Sequence, residues 1–165
     1  MTMIYNGGTR TKQKPYGDRS LHREAVGNSQ VRQCKRLVDV LLSNNVRFTI
    51  ENPYDSYIWH SHELLKIKAA PQSSFVLFDQ CMHKLRPPDN IGNRDVRVRK
   101  RTRILGVLEN LDSIEVLCDR KHDHIAAFGS VRIGGRRIAR SAAAGAYPHA
   151  LCRAIAELVA AVVRP

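Results

Sequence analysis

The chain is poor in acidic residues and has no long apolar segment. It carries 15 Asp and Glu against 27 Lys and Arg, which gives a formal net charge of +12. No window of about eighteen apolar residues occurs, and the first thirty residues lack the apolar core of a signal peptide. We therefore expect a soluble, intracellular protein without a membrane span or a secretory leader. The charge predicts a polyanionic partner, and nucleic acid, with DNA favoured, is preferred to a membrane surface.

Cysteines are few and widely separated. There are four, at positions 34, 81, 118 and 152, and none belongs to a paired CxxC motif. This spacing is not typical of a secreted disulfide scaffold. The cysteines are therefore predicted to be free thiols or metal ligands.

The hydrophobic pattern predicts a basic flexible arm at residues 1–27 and a single α/β domain at 28–165. Within that domain, residues 28–108 form the core and 109–165 form an extension that contains Cys and His. The pattern predicts helices from Asn28, at 56–70 and at 148–163, and strands at 46–50, 73–81 and 102–108, with an irregular basic loop at 82–101. Alternating helices and strands favour βαβ crossovers and an at least partly parallel sheet.

A glycine pair predicts a hairpin in the extension. Gly134 and Gly135 stand between two β-forming segments with basic residues on both sides, which is typical of a tight two-residue turn. The hairpin would be a basic β-ribbon, and its arginines are candidates for phosphate contacts. Together with the basic loop, the predicted nucleic-acid-binding residues are Arg94, Arg97, Arg99, Lys100, Arg132, Arg136, Arg137 and Arg140.

A polar tripeptide follows the first predicted strand. Glu51, Asn52 and Pro53 come where open α/β sheets place their chemistry, although the same residues also end strands for purely structural reasons. Arg101 and Arg103 enter another strand. An acid and two guanidinium groups at one crevice would suit proton donation to an electron-rich ring, and the alternative is that these arginines only grip phosphates.

The order of these segments resembles the middle of a DNA cytosine-5 methyltransferase. The strand that ends "IENP", the next helix, the strand "FVLFDQC" and the basic segment "RKRTRIL" follow one another as in that family, over residues 30–108. The resemblance implies a partial Rossmann-like sheet with flanking helices, followed by the β-ribbon and a C-terminal helix. It also implies that Glu51 protonates a flipped cytosine, with Asn52 beside it, and that Arg101 and Arg103 hold the base and the catalytic loop.

The family's cofactor loop and nucleophile have no counterpart here. No glycine-rich S-adenosylmethionine loop or Pro-Cys nucleophile precedes the "IENP" strand. The resemblance therefore implies a remnant or fragment that is not catalytic alone and that would bind S-adenosylmethionine only if another segment or a partner chain completed it.

A Cys-x3-His-x-His motif in the extension predicts a metal site. Cys118, His122 and His124 supply the S and N donors that zinc prefers. The fourth ligand is left open among Cys81, His83 and Cys152, and the alternative is that Cys118 is an ordinary strand residue beside exposed histidines.

Two functions follow from these patterns. One is a nucleic-acid-binding, methyltransferase-like domain. The other is a zinc-stabilised nucleic-acid-binding protein of a mobile element with no methyltransferase role. Zinc content and S-adenosylmethionine binding distinguish them.

Overall fold

The computed structural model describes residues 8–87 and 95–163. Within these ranges the chain is a mixed α/β protein, as the sequence predicted. Its helices are α1 (His22–Ser43), α2 (His62–Lys68), α3 (Arg140–Ala143) and α4 (His149–Val163), and its strands are β1 (Phe48–Pro53), β2 (Ser74–Asp79), β3 (Val96–Arg99), β4 (Arg101–Val107), β5 (Asp123–Ala126), β6 (Ser130–Ile133) and β7 (Arg136–Ala139). Short 3-10 helices cover Tyr57–His60 and Leu111–Ile114.

The strands form small sheets. One has three strands in the order β1-β4-β2, and two have two strands each. In one of the pairs, β3 and β5 run parallel, with Val96 opposite Asp123. A Rossmann-like arrangement thus stays a prediction, while the α/β class is confirmed. In the described part of the chain, no helix combines the length and the apolar character that crossing a bilayer requires.

The described residues divide into two compact units. The first lies within Met1–Phe75 and Ile104–Leu108, and the second within Val76–Arg103 and Glu109–Pro165. The sequence predicted one domain from residue 28 onward. The first unit is built on the apolar stripe of α1, which packs with Trp59 and the buried side chains of α2. The second has a small core of Leu85, Val98 and Ala144.

Helix α1 begins at His22, six residues before the predicted start at Asn28. Residues of the predicted flexible arm pack against its first turns. Glu24 is 3% exposed and accepts hydrogen bonds from the Thr9 backbone N–H and hydroxyl. Arg10 is equally buried and donates to the Glu24 carbonyl and to the side chain of Asn28. These hydrogen bonds make the segment part of the first unit, and no apolar pattern in the sequence marks it as such.

The first strand is displaced from its predicted position. It was predicted at 46–50, but β1 runs from Phe48 through Glu51 and Asn52 to Pro53. The Pro53 carbonyl accepts a hydrogen bond of 2.8 Å from the indole N–H of Trp59. The tripeptide therefore belongs to the strand rather than to the turn after it.

Part of the predicted irregular loop is ordered as β3. Val98 is 2% exposed, and its backbone N–H donates to the Leu85 carbonyl at 2.8 Å. The period-two pattern of "VRVR" is that of a half-buried strand. The basic residues within and after this segment, Arg97, Arg99, Lys100 and Arg101, led to its interpretation as a loop.

Candidate metal centre

Four side chains of the second unit converge on one point. Cys81, Cys118, His122 and His124 each offer one ligand atom, and these atoms all lie within 4.8 Å of one another. The sequence predicted the last three, and of the three residues considered for the fourth ligand the structure selects Cys81. Cys152 is exposed on α4, and its thiol is 3.9 Å from the Tyr147 carbonyl. The four residues can hold a metal ion.

The distances from Cys118 to the two histidines match those of a tetrahedral site. The Cys118 sulfur lies 3.7 Å from His122 Nε2 and 3.4 Å from His124 Nε2. In a zinc tetrahedron with Zn–S of about 2.3 Å and Zn–N of about 2.0 Å, neighbouring S and N ligands are about 3.5 Å apart. The two imidazole rings meet edge to face at 72°, with centroids 4.6 Å apart, so both present Nε2 to the same region without stacking.

The local chain around Cys118 is shaped for this arrangement. Arg120 has a left-handed backbone with φ of 62°, and its N–H donates to the Cys118 sulfur at 3.3 Å. This turn reverses the chain so that His122 returns to the cysteine, and the ring of His122 is only 3% exposed. Its other nitrogen, Nδ1, lies 3.8 Å from a carboxylate oxygen of Asp119. At this distance the two groups are neighbours without a direct hydrogen bond.

Strand pairing fixes the position of the next candidate ligand, His124. It belongs to β5 and lies opposite Arg97 in the parallel ladder with β3. That arginine also donates through Nη1 to the Cys81 carbonyl at 3.0 Å, and it forms an ion pair with Asp95. Arg97 thus connects the strand that carries one ligand to the backbone of another. We predicted it as a phosphate contact, and in the structure its guanidinium is occupied by these two partners.

A buried Asp–Arg pair positions Cys118. Asp79 ends β2 and is fully buried, and both of its carboxylate oxygens accept hydrogen bonds from Arg101, at 2.8 and 2.7 Å. One of the same oxygens accepts the backbone N–H of Cys118 at 2.9 Å. Burial acts to raise the pKa of Asp79, but the bonds from Arg101 and Cys118 outweigh it and hold the pKa below its usual value. The carboxylate is therefore charged at neutral pH and fixes the cysteine backbone.

The fourth ligand is a deeply buried thiol. Burial, followed by interaction with the Cys118 thiol, raises the pKa of Cys81 to about 12 in the metal-free protein. Cys81 is therefore a neutral thiol until a cation replaces its proton. Sequence reasoning gave Cys81 only as one of three possibilities, because its ligand role depends on contacts with residues about forty positions away in the chain.

The predicted catalytic residues lie in both units. Glu51 and Asn52 are in the first unit, and Arg101 and Arg103 are in the second. Strand alternation places Asn52 with Ile50 on the side of β1 that lines a cavity of about 280 Å³, whereas Glu51 is not among its lining residues. One carboxylate oxygen of Glu51 is buried and has no hydrogen-bond partner among the described residues.

The predicted nucleic-acid contacts have different surroundings. Arg94 lies outside the described residues. Arg99 is exposed at the end of β3, and Lys100 lies 5.6 Å from the ring centre of Tyr147. On the hairpin, Arg132, Arg136 and Arg137 are exposed, while Arg140 is half-buried at the start of α3.

Comparison of the chain with protein-family models, with curated proteins and with solved structures finds no match. The resemblance to cytosine-5 methyltransferases therefore stays a prediction.

Proposed function

We propose that this protein is a zinc-stabilised domain that binds nucleic acid. The observation that carries the proposal is the convergence of two thiols and two imidazoles within 4.8 Å. Two sulfur and two nitrogen donors suit zinc better than the harder cations that prefer oxygen. Four protein ligands leave no open position for water, so the ion is structural rather than catalytic.

Purified protein is expected to contain about one equivalent of zinc, because a structural site of this kind binds tightly. The measurement is elemental analysis of protein prepared without chelators. Cobalt substitution is expected to give the visible absorption of a four-coordinate ion with thiolate ligands. Less than about a tenth of an equivalent of zinc, together with a six-coordinate cobalt spectrum, would contradict the proposal.

The nucleic-acid part of the proposal is supported by the charge of the β6–β7 hairpin. From Ile125 to Ala156 the chain contains five arginines and no Asp or Glu. The hairpin has a two-residue turn of Gly134 and Gly135, whose φ angles of 55° and 79° suit the right-handed twist of the strands. Strands β6 and β7 pair antiparallel in this hairpin. That it binds nucleic acid is the proposal.

The register of the hairpin separates its arginines onto two faces. Arg132 lies directly opposite Arg137, and both share a face with Ser130. Val131, which is buried, and Ile138 form the other face, where Arg136 also lies. Like charges directly opposite each other on a sheet are destabilising, and a phosphate between them relieves the repulsion. The face of Arg132 and Arg137 is therefore the proposed contact with the phosphate backbone.

Replacing Arg132 by glutamine is expected to weaken binding of a mixed-sequence DNA duplex. One lost phosphate contact lowers the slope of log affinity against log salt by about 0.9. The same change is expected to stabilise the fold slightly, by about 0.2 to 1 kcal/mol, because it removes the opposed charge. Fluorescence anisotropy across a salt series and thermal unfolding measure the two effects.

The matched control is Arg136→Gln, which removes the same charge from the opposite face of the same hairpin. It is expected to change the salt slope less than Arg132→Gln does. Equal effects of the two substitutions would contradict the assignment of the face, and the absence of salt-sensitive binding by the wild type would contradict nucleic-acid binding altogether.

The methyltransferase-like hypothesis has less support. The buried carboxylate oxygen of Glu51 without a described partner is consistent with a proton donor. Against this, two donor groups of Arg101 are occupied by Asp79. Calorimetric titration with S-adenosylmethionine distinguishes this hypothesis from the proposal above.

A further inference from the structure

A second cationic feature of the second unit is a cavity of about 290 Å³ beside the beginning of α4. It is lined by His83, Lys84, His149, Ala150 and Arg153. Four of the five lining residues carry basic side chains, and none is acidic. The cavity is at the small end of the range for ligand sites, with room for a phosphoryl group and part of the group that carries it.

The two permanent cations of this cavity, Lys84 and Arg153, have no partner among the described residues. Within the described ranges, neither the Lys84 ammonium nor the Arg153 guanidinium forms a hydrogen bond or an ion pair. The His83 ring differs from these two cations, because it bonds to the Ile114 backbone and contacts the Phe78 ring edge to face. The two unpaired cations contrast with Arg97 and Arg101, whose charges are compensated by Asp95 and Asp79. Unpaired cations around a concavity favour an anion, to which they can form charge-assisted hydrogen bonds.

The first turn of α4 adds to the positive electrostatic potential of the cavity. The backbone N–H of Cys152 bonds to the Pro148 carbonyl, so the N–H groups that precede it in the helix have no acceptor within the helix. His149 and Ala150 supply such groups at the wall of the cavity. The Leu151 side chain between them and Arg153 is fully buried and anchors this turn. The positive end of a 15-residue helix thus adds to the charges of Lys84 and Arg153.

We propose that this cavity binds a phosphate monoester, held by Lys84 and Arg153 and by the first turn of α4. The same chemistry is offered by inorganic phosphate, by a nucleotide and by the 5′-terminal phosphate of a nucleic acid. The proposal is independent of the hairpin, because the cavity contains neither Arg132 nor Arg137.

The test is a calorimetric titration of the zinc-loaded protein with three probes: inorganic phosphate, a short single-stranded oligonucleotide with a 5′-phosphate, and the same oligonucleotide with a 5′-hydroxyl. We expect the 5′-phosphate to increase affinity by about tenfold, since hydrogen bonds to charged groups are the strong ones. Binding of inorganic phosphate alone would also support the site and would identify the phosphoryl group as sufficient. Equal affinity for both oligonucleotides and no binding of inorganic phosphate would overturn the proposal.

Substitutions test whether the 5′-phosphate binds in this cavity. Lys84→Gln with Arg153→Gln is expected to remove the 5′-phosphate preference, whereas Lys84→Arg with Arg153→Lys retains most of it. The matched control is Lys121→Gln with Arg136→Gln, which removes the same charge from exposed positions outside the cavity. An equal loss of preference in the control and in the cavity variant would show a general charge effect and would overturn the site.

Discussion

Replacing Cys118 by serine is expected to abolish zinc binding and to lower the melting temperature by roughly 10 °C. The hydroxyl is a poor substitute for a thiolate, and the remaining three ligands surround an incomplete tetrahedron. Because the binding free energy of a structural metal contributes to folding, its loss costs several kcal/mol, which corresponds to this shift for a chain of this size. Thermal unfolding and zinc analysis of the same preparation measure both effects.

The chain offers a matched control in Cys152→Ser. The Cys152 thiol is exposed on α4 and is not one of the four converging ligands. The same chemical change at this position is expected to leave the zinc content unchanged and to alter stability by less than about 0.5 kcal/mol. Equal zinc content and equal melting temperatures for the two variants would show that the thiol of Cys118 is not a ligand.

Replacing Asp79 by asparagine is expected to destabilise the protein by about 3 kcal/mol and to weaken zinc binding by 10-fold to 100-fold. The amide has one accepting oxygen, so it cannot accept both hydrogen bonds from Arg101 and the Cys118 N–H, and a guanidinium that is two-thirds buried loses a charged acceptor. The Cys118 N–H then competes with Arg101 for the single amide oxygen, which weakens the contact that orients the cysteine, and groups that orient metal ligands have effects of this size. Denaturant unfolding and a zinc-chelator competition measure the two losses separately.

The control for this substitution is Asp39→Asn. Asp39 pairs with Lys35 one turn away on the exposed surface of α1. Exposed pairs of this kind contribute about 0.3 to 0.5 kcal/mol, and the zinc affinity is expected to stay unchanged. If Asp39→Asn and Asp79→Asn had similar effects on zinc affinity, Asp79 would have no role in positioning the metal ligand.

The Asp79 contribution has a defined pH dependence. Its pKa in the folded protein is lowered, so the stabilising charge is fully present above the unfolded value of about 3.9 and is lost as the pH falls through the folded value. In metal-free protein, where protonation of the metal ligands does not contribute, the difference in unfolding free energy between wild type and Asp79→Asn is therefore expected to be constant near neutral pH and to shrink only below about pH 4.

Local sequence patterns were enough to predict several of the structural elements. The apolar spacing around Val31 and Val38 predicted α1, and Gly134 with Gly135 predicted the turn of the hairpin, because helix periodicity and positive φ angles are properties of short segments. Three of the four candidate metal ligands were predicted for the same reason, since Cys118, His122 and His124 lie within a stretch of seven residues.

Contacts between distant segments could not be predicted in this way. The choice of Cys81 over His83 and Cys152 depends on where the turn after β2 lies relative to β5. The start of α1 depends on contacts with the segment before it. Glu24 accepts a hydrogen bond from the Thr9 N–H, and Arg10 donates to the Glu24 carbonyl, so both side chains can be buried.

The sequence by itself thus determined the α/β class, the basic character of the hairpin and the sulfur and nitrogen chemistry of a metal site. Only the tertiary structure decided which cysteine completes that site. It also decided that Arg97 and Arg101 form ion pairs beside the ligands and that Arg132 and Arg137 share one face of the hairpin. The physical reason is that charge and ligand type belong to individual residues, whereas pairing and burial depend on which distant residues folding brings together.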